Sequence, residues 1–218
     1  MKNILCFGDS NTWGYDGENG ERFPYDKRWT SLVQAELGNA YNIIPEGLNG
    51  RTTVWDDPFN PCRNGHDALP FCLLSHKPLD LVILMLGTND SKNFYHNTPF
   101  SIGKGIRRLV EMIQASDAGR GGAAPRILLM SPAPVIQGDQ SRASFDLREF
   151  ADIDGHDPSI VSGGLAGEYR KKAEEYGCDF LDAGTVAEVC TADGVHLTAE
   201  GHKALASAVS SKLREMGV

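Results

Sequence analysis

The chain has 218 residues, of which 41% are apolar and 23% are charged, and its formal net charge is −8. This length and composition predict a single globular domain over residues 1–218. An acidic surface repels phosphate backbones, and the sequence has no basic run, so neither nucleic acid nor a membrane surface is expected as a partner.

Short apolar runs predict five buried strands, at residues 4–7, 41–44, 79–86, 126–130 and 179–181. Between these runs, apolar residues recur at helical spacing, which predicts helices around residues 29–37, 102–113 and 205–213. The strands are continuously apolar rather than alternating. Together with the intervening helices, they indicate a parallel sheet covered on both faces.

The predicted helices carry recognisable boundary residues. Asp26 is a candidate N-cap for the first helix, and Gly38 is a candidate stop. The second helix follows Pro99, and Thr198 is a plausible cap for the third.

Three long polar stretches, at residues 14–28, 52–70 and 131–164, are predicted as loops. Connections of this length in a compact domain are usually functional or disordered. Because loops at the carboxyl ends of strands build the site in an open α/β sheet, we expect these stretches to lie on that side.

The first chemical motif is Gly8-Asp9-Ser10-Asn11-Thr12, directly after the first strand. A serine where a strand turns into a helix lies close to free backbone N–H groups, which can stabilise an oxyanion. The same position also suits a helix N-cap, so this motif alone does not assign Ser10 as a nucleophile.

The second motif is Asp193-Gly194-Val195-His196, shortly before the last predicted helix. A histidine base needs an acidic partner that fixes its tautomer, and an aspartate three residues earlier can curl back to the ring. The alternative is an ordinary Asp-Gly turn.

Two further segments offer hydrogen-bond donors. Asn89 follows the most apolar strand and carries an amide, which is a known type of oxyanion donor, although it could instead satisfy loop carbonyls. Gly47 and Gly50 follow the second strand, where either could bring a backbone N–H close to a bound carbonyl. All four segments end strands or precede the last helix, so a nucleophile, a base and oxyanion donors can converge for acyl transfer.

These blocks resemble those of the SGNH (GDSL-type) hydrolases, whose four marker residues would be Ser10, Gly50 (or Gly47), Asn89 and His196. The resemblance covers nearly the whole chain and is closest to the bacterial arylesterase/acyltransferase branch. It implies a flavodoxin-like three-layer α/β/α sandwich with a five-stranded parallel sheet.

The resemblance also implies a serine esterase that acts on short-chain acyl or aryl esters, without a metal or organic cofactor. Ser10, Asp193 and His196 would be its catalytic residues, and Ser10, Gly50 and Asn89 would form its oxyanion hole. The spacing of the second block in the similar branch favours Gly50. Some members of that branch also transfer the acyl group to alcohols.

Further positions follow from the same resemblance. Positions similar to Asp9, Tyr15, Lys92 and Val195 line the substrate pocket in that branch. The family motif has leucine after the serine, where this chain has Asn11. That polar side chain is expected to change the pocket or the start of the helix.

Other aromatic residues could also contribute to the site. Trp13 and Trp55 are candidates for either a pocket wall or the core. The insertion at residues 131–164 carries Phe145, Leu147 and Phe150. It is expected to cover the site of its own or a neighbouring subunit and to help form a homo-oligomer, as in the similar branch.

The five cysteines are scattered, no Cys-x-x-Cys pair occurs, and no apolar segment has the length of a signal or a membrane span. These features predict a cytoplasmic protein with reduced thiols.

Other functions stay open. A carbohydrate O-deacetylase of the same fold would share every catalytic residue, and a ligand-binding module would need their convergence to be coincidental. A metal-dependent hydrolase is disfavoured because the six histidines lack paired ligand spacing. The Gly-x-Ser-x-Gly elbow of α/β-hydrolases is absent.

Overall fold

The computed structural model describes residues 1–139, 141–145 and 147–218. Its sheet has five strands in the order β2-β1-β3-β4-β5, and every neighbouring pair is parallel. The strands are β1 (Lys2–Gly8), β2 (Tyr41–Gly47), β3 (Leu81–Met85), β4 (Arg126–Ser131) and β5 (Asp179–Asp182). The predicted α/β fold with a five-stranded parallel sheet is confirmed, and its strand order is that of flavodoxin-like folds.

Helices cover both faces of the sheet. They are α1 (Ser10–Trp13), α2 (Trp29–Leu37), α3 (Gly65–His76), α4 (Pro99–Gln114), α5 (Pro158–Gly163), α6 (Leu165–Tyr176) and α7 (Ala199–Glu215). Among the described residues, no helix is long and apolar enough to cross a membrane.

The core consists of two apolar clusters, one on each face of the sheet. Leu5 and Phe7 of β1 belong to one cluster, which also contains residues of α3, α4 and α6. Ile4 and Cys6 belong to the other, with residues of α2 and α7. Because successive side chains of a strand point to opposite faces, a continuously apolar strand serves both clusters.

Thr198 and Gly38 are confirmed as helix boundaries, and Asp26 is not. Thr198 caps α7 by accepting a hydrogen bond from the Gly201 N–H, and Gly38 ends α2 with φ of 71°. Asp26 does not cap α2, because it lies within a separate 3-10 turn and α2 begins after Arg28 without a side-chain cap.

The loop predicted over residues 52–70 is partly wrong, because α3 begins inside it. Asn64 caps this helix by accepting a hydrogen bond from the His66 N–H. Pro70 lies inside the helix, where proline normally argues against helical structure. Only Gly65, Leu69 and Leu73 are buried, so the apolar signal is weak.

The segment predicted as an insertion, residues 131–164, contains two short helical pieces. Leu147–Phe150 forms a 3-10 turn, and α5 follows after Asp157, whose side chain caps it.

Candidate active site

Ser10 is the first residue of α1 and follows β1 almost directly. The cap of this helix is Asp9, whose carboxylate accepts a hydrogen bond of 3.0 Å from the Asn11 N–H. Gly8 permits the tight turn, because a Cβ there would lie 2.2 Å from Oγ1 of Thr12. The sequence alone allowed Ser10 to be the N-cap of this helix. Because Asp9 is the N-cap instead, the serine hydroxyl does not have that role.

Ser10, His196 and Asp193 form a continuous chain of hydrogen bonds. The Ser10 Oγ is 2.8 Å from Nε2 of His196, and the His196 Nδ1 is 2.6 Å from Oδ2 of Asp193. All three residues are buried or nearly so. The geometry matches a nucleophile, a base and an acid that orients the base.

Asp193 also organises the loop that carries the histidine. Its Oδ1 accepts hydrogen bonds from the N–H groups of Val195 and His196, at 2.9 and 3.0 Å. Gly194 has φ of 73°, and a Cβ there would lie 2.1 Å from the main-chain oxygen of Ile136. The Asp-Gly pair thus makes a turn and supports the histidine at the same time.

Burial alone would raise the pKa of the Asp193 carboxyl. The hydrogen bond and charge of the His196 ring, together with the two backbone N–H groups, outweigh this effect and hold the pKa below its ordinary value. Asp193 is therefore ionised at neutral pH, as a partner for an imidazolium must be.

The structure brings Asn89 and Gly50 to the same cavity as Ser10 and His196. The Asn89 Nδ2 donates a hydrogen bond of 3.1 Å to the main-chain oxygen of Arg51, which orients the amide. An amide carries two N–H donors, and this bond uses one of them.

Gly47 and Gly50 have different surroundings, which spacing alone could not distinguish. Gly50 lines the cavity and has φ of 78°. Gly47 instead packs against α1, because a Cβ there would lie 2.2 Å from the main-chain nitrogen of Trp13. Gly50 is therefore the glycine placed to approach a bound substrate.

The cavity beside Ser10 has a volume of about 180 Å³. Of the predicted pocket residues, Tyr15, Lys92 and Val195 line it. Asp9 does not, and it is 1% exposed. Burial raises the pKa of its carboxyl to about 7. Asp9 is adjacent to Ser10 in sequence, but its side chain turns back onto the helix, where it binds the Asn11 N–H.

Neither candidate tryptophan lines this cavity. The Arg22 guanidinium lies over the ring of Trp13, 4.7 Å from its centroid. Trp55 lines a separate surface hollow beside α4, together with Lys104 and Gly105.

The sequence missed Asn49 and Glu149 on the cavity wall. Glu149 pairs with Lys92 at 2.7 Å, and Asp57 lies 3.9 Å from the same ammonium nitrogen. Lys92, Asp57 and Glu149 come from three separate loops, so no local sequence pattern predicts their contacts. Asn49, Lys92 and Glu149 give one side of the cavity a polar, charged wall.

Arg51 braces the strand ends that lead to the site. Its guanidinium Nη1 donates to the main-chain oxygens of Gly8 (2.9 Å) and Glu46, at the ends of β1 and β2. Its own main-chain oxygen accepts the hydrogen bond from Asn89. One buried arginine therefore connects the strand that precedes Ser10, the Gly50 loop and the Asn89 loop.

Across residues 1–139, 141–145 and 147–218, no group of three or more His, Cys, Asp or Glu residues is arranged to hold a metal ion.

The chain is similar to known proteins over most of its length. The model of the GDSL-like lipase/acylhydrolase family matches residues 6–204. A carbohydrate acetylesterase family member from Sinorhizobium meliloti is 41% identical, with a TM-score of 0.91 and 100% of both chains covered. The aryl esterase of M. smegmatis is 38% identical, with a TM-score of 0.89 and 99% of both chains covered.

A more distant curated relative is the acetylxylan esterase of Xylanibacter ruminicola, which is 23% identical over 231 residues. The match covers 97% of this chain and 43% of that protein, so the chain spans less than half of its length. The match to the family model covers most of the sequence, and the similar solved structures include an aryl esterase and a carbohydrate acetylesterase family member. The chain therefore belongs to the GDSL-like lipase/acylhydrolase family and is a carboxylic ester hydrolase.

Proposed function

We propose that this chain is a serine esterase in which Ser10 is the nucleophile, His196 the general base and Asp193 the acid that orients it. The observation that carries the proposal is the pair of hydrogen bonds that join these side chains, 2.8 and 2.6 Å long. The pKa of Asp193, held below its ordinary value, supports an ionised partner for the histidine.

In the first half-reaction, the Ser10 oxygen attacks the ester carbonyl carbon while His196 Nε2 takes its proton. The carbonyl oxygen becomes negative and receives hydrogen bonds from the N–H groups of Ser10 and Gly50 and from the Asn89 amide. When this intermediate collapses, the ester C–O bond breaks and the leaving alkoxide takes the proton from His196.

In the second half-reaction, water attacks the acyl group on Ser10, again with His196 as the base. The acyl–Ser10 bond breaks, the acid leaves, and the serine regains its proton. An alcohol in place of water would yield a new ester, which is the acyl transfer that the family resemblance predicts.

The test is Ser10→Ala, assayed on an aryl acetate. We expect kcat to fall by about a thousandfold or more, because the covalent route is lost. Ser207→Ala, on the exposed face of α7, is the matched control and should retain wild-type kcat. An aryl phosphonate should label the wild type at Ser10 and leave Ser10→Ala unlabelled. Full activity of Ser10→Ala would refute the proposal, and an unlabelled wild type would favour the ligand-binding module.

We propose short acyl groups, such as acetyl, as the substrates. The cavity volume of about 180 Å³ supports this choice, because a small space leaves little room for a long chain. The resemblance to the arylesterase branch supports an aryl leaving group.

A carbohydrate O-acetylesterase is the second candidate. It is favoured by the polar wall formed by Asn49, Lys92 and Glu149, because a sugar offers hydroxyls to such groups. The similarity to a carbohydrate acetylesterase family member also supports it.

A comparison of substrates separates these two candidates. Aryl esters of increasing acyl length define the acyl group, and an acetylated xylo-oligosaccharide defines the alcohol. A higher kcat/KM for the acetylated sugar than for the aryl acetate would favour the deacetylase. Running the series with and without a competing alcohol measures acyl transfer.

The segment at residues 131–164 contributes to the site of its own chain. The ring centroid of Phe145 is 5.7 Å from that of His196, and Phe150 lines the cavity. These contacts support the expectation that the segment covers the site. The homo-oligomer and the cytoplasmic location stay predictions, and light scattering of the full chain tests the first.

A further inference from the structure

Asn11 occupies the position where the family motif carries leucine, and its side chain is not part of the cavity. It is the second residue of α1 and is 3% exposed. Its amide reaches the loop that carries His196, more than 180 residues away in sequence. A polar side chain buried at this depth requires partners, and this loop supplies them.

The two hydrogen bonds of Asn11 flank His196. The Nδ2 group donates to the main-chain oxygen of Val195 at 3.3 Å, and Oδ1 accepts from the N–H of Leu197 at 2.9 Å. The first of these main-chain groups belongs to the peptide bond before His196, and the second to the peptide bond after it. One planar amide therefore holds both peptide groups around the histidine.

Apart from the hydrogen bond between Ser10 and His196, the other bonds of this loop described below lead to segments outside α1. Asp193 binds N–H groups within the loop, and the main-chain oxygen of His196 accepts from the Cys190 N–H at 2.7 Å. The main-chain oxygen of Gly194 accepts from the Ile136 N–H, which ties the loop to the segment after β4. The bonds of Asn11 tie the loop to the helix whose first residue is Ser10.

We propose that Asn11 is a positioning residue that sets the distance between Ser10 Oγ and His196 Nε2. This inference rests on the proposed roles of Ser10 and His196. Asn11 is covalently attached to the nucleophile and hydrogen-bonded on both sides of the base, so it fixes one relative to the other. A leucine fills similar space but makes neither bond, so a chain with leucine here must hold its histidine loop by other contacts.

A displacement of about 1 Å between reacting groups can reduce turnover about 100-fold. Substrate binding depends on the cavity wall, to which Asn11 does not contribute. Loss of the Asn11 bonds should therefore lower kcat and leave KM almost unchanged. The Asp193–His196 hydrogen bond lies entirely within the loop and should survive.

The experiment compares Asn11→Leu with wild type and with Asn3→Leu. Asn3 is the matched control, because its side chain also donates to a main-chain oxygen and accepts one bond, but at the amino end of β1. Steady-state kinetics on an aryl acetate give kcat and KM. Proton NMR of the low-field signal of the His196 Nδ1–H, identified by its absence in Asp193→Ala, reports whether the loop is intact.

For Asn11→Leu we expect a kcat about 10-fold to 100-fold below wild type, a KM within about twofold, and a retained low-field signal. The rate of labelling by an aryl phosphonate should fall in parallel with kcat. Asn3→Leu should keep the wild-type kcat. A wild-type kcat for Asn11→Leu would overturn the proposal. Loss of the low-field signal would also overturn it, because the residue would then maintain the loop rather than its distance from Ser10.

Asn11→Asp provides a second, isosteric variant if the leucine variant does not fold. It keeps an oxygen that can accept from the Leu197 N–H and loses the donor to Val195, so kcat should lie between those of Asn11→Leu and wild type. An Asn11→Asp protein with wild-type kcat would count against the proposed positioning role of Asn11. Ser10→Ala in the same assay tests the proposed nucleophile alone. Its result therefore separates failure of the proposed function from failure of the positioning role of Asn11.

Discussion

The ring of Tyr15 lies against the imidazole of His196, with centroids 4.3 Å apart and planes inclined by 34°. The hydroxyl of Tyr15 forms a hydrogen bond of 3.0 Å with the Ser144 Oγ. The ring of Phe145 approaches both Tyr15 and His196 edge-on. The proposed base is therefore held between aromatic rings from two separate segments, which limits its rotation and its exposure to water.

We expect Tyr15→Ala to lower kcat/KM on an aryl acetate about 10-fold, because the imidazole loses a packing partner that restricts its orientation. Tyr15→Phe keeps the ring and loses only the bond to Ser144, so it should stay within about twofold of wild type. The control is Tyr25→Ala, at a 65% exposed tyrosine in a surface turn. Equal activities for Tyr15→Ala and Tyr25→Ala would contradict this role.

Asn89→Ala should reduce kcat about 100-fold to 1000-fold, the usual cost of removing one oxyanion donor. The variant also frees the main-chain oxygen of Arg51, so a moderate loss of stability should accompany it. Asn97→Ala removes a comparable buried bond, of 3.1 Å to the main-chain oxygen of Asp90, and serves as the stability control. If both variants lose equal stability and equal kcat, Asn89 has no separate role in the reaction.

The sheet could be predicted from sequence because its strands are apolar on both faces. All five predicted strands occur, although their ends differ by up to three residues. Asp193 and His196 were predictable together because both lie on one short loop. Ser10 and Asn89 could be predicted to lie close together because each follows the carboxyl end of a parallel strand.

The helix α3 was not predictable from apolar periodicity, because it buries few residues and contains Pro70. The polar wall of the cavity was not predictable for another reason. Lys92 and Glu149 lie on different loops, and their 2.7 Å contact depends on how those loops pack. The contacts of Asn11 also required the fold, since its partners are about 185 residues away.

The buried His202 gives a final prediction, on stability against pH. Its Nδ1 accepts a hydrogen bond of 3.3 Å from the Trp29 N–H, and the ring is fully buried in α7. Burial, followed by the charges of His196 and Arg28, lowers the pKa of His202 to about 4, from an ordinary value of 6.5. The folded protein thus resists a proton that the unfolded chain accepts readily.

Because the folded pKa is the lower one, this contribution to stability is complete above pH 6.5 and is lost as the pH falls toward 4. A shift of this size corresponds to about 3 kcal/mol. His202→Asn keeps an oxygen acceptor for the Trp29 N–H and does not titrate, so its free energy of unfolding should fall less between pH 7 and pH 4. Urea unfolding at the two pH values measures the difference, with His66→Asn, at a partly exposed histidine on α3, as the control. Equal pH dependence in wild type and His202→Asn would show that the acid sensitivity arises elsewhere. Asp193 is one such source, because its pKa is lowered in the folded protein and its protonation at low pH therefore reduces stability.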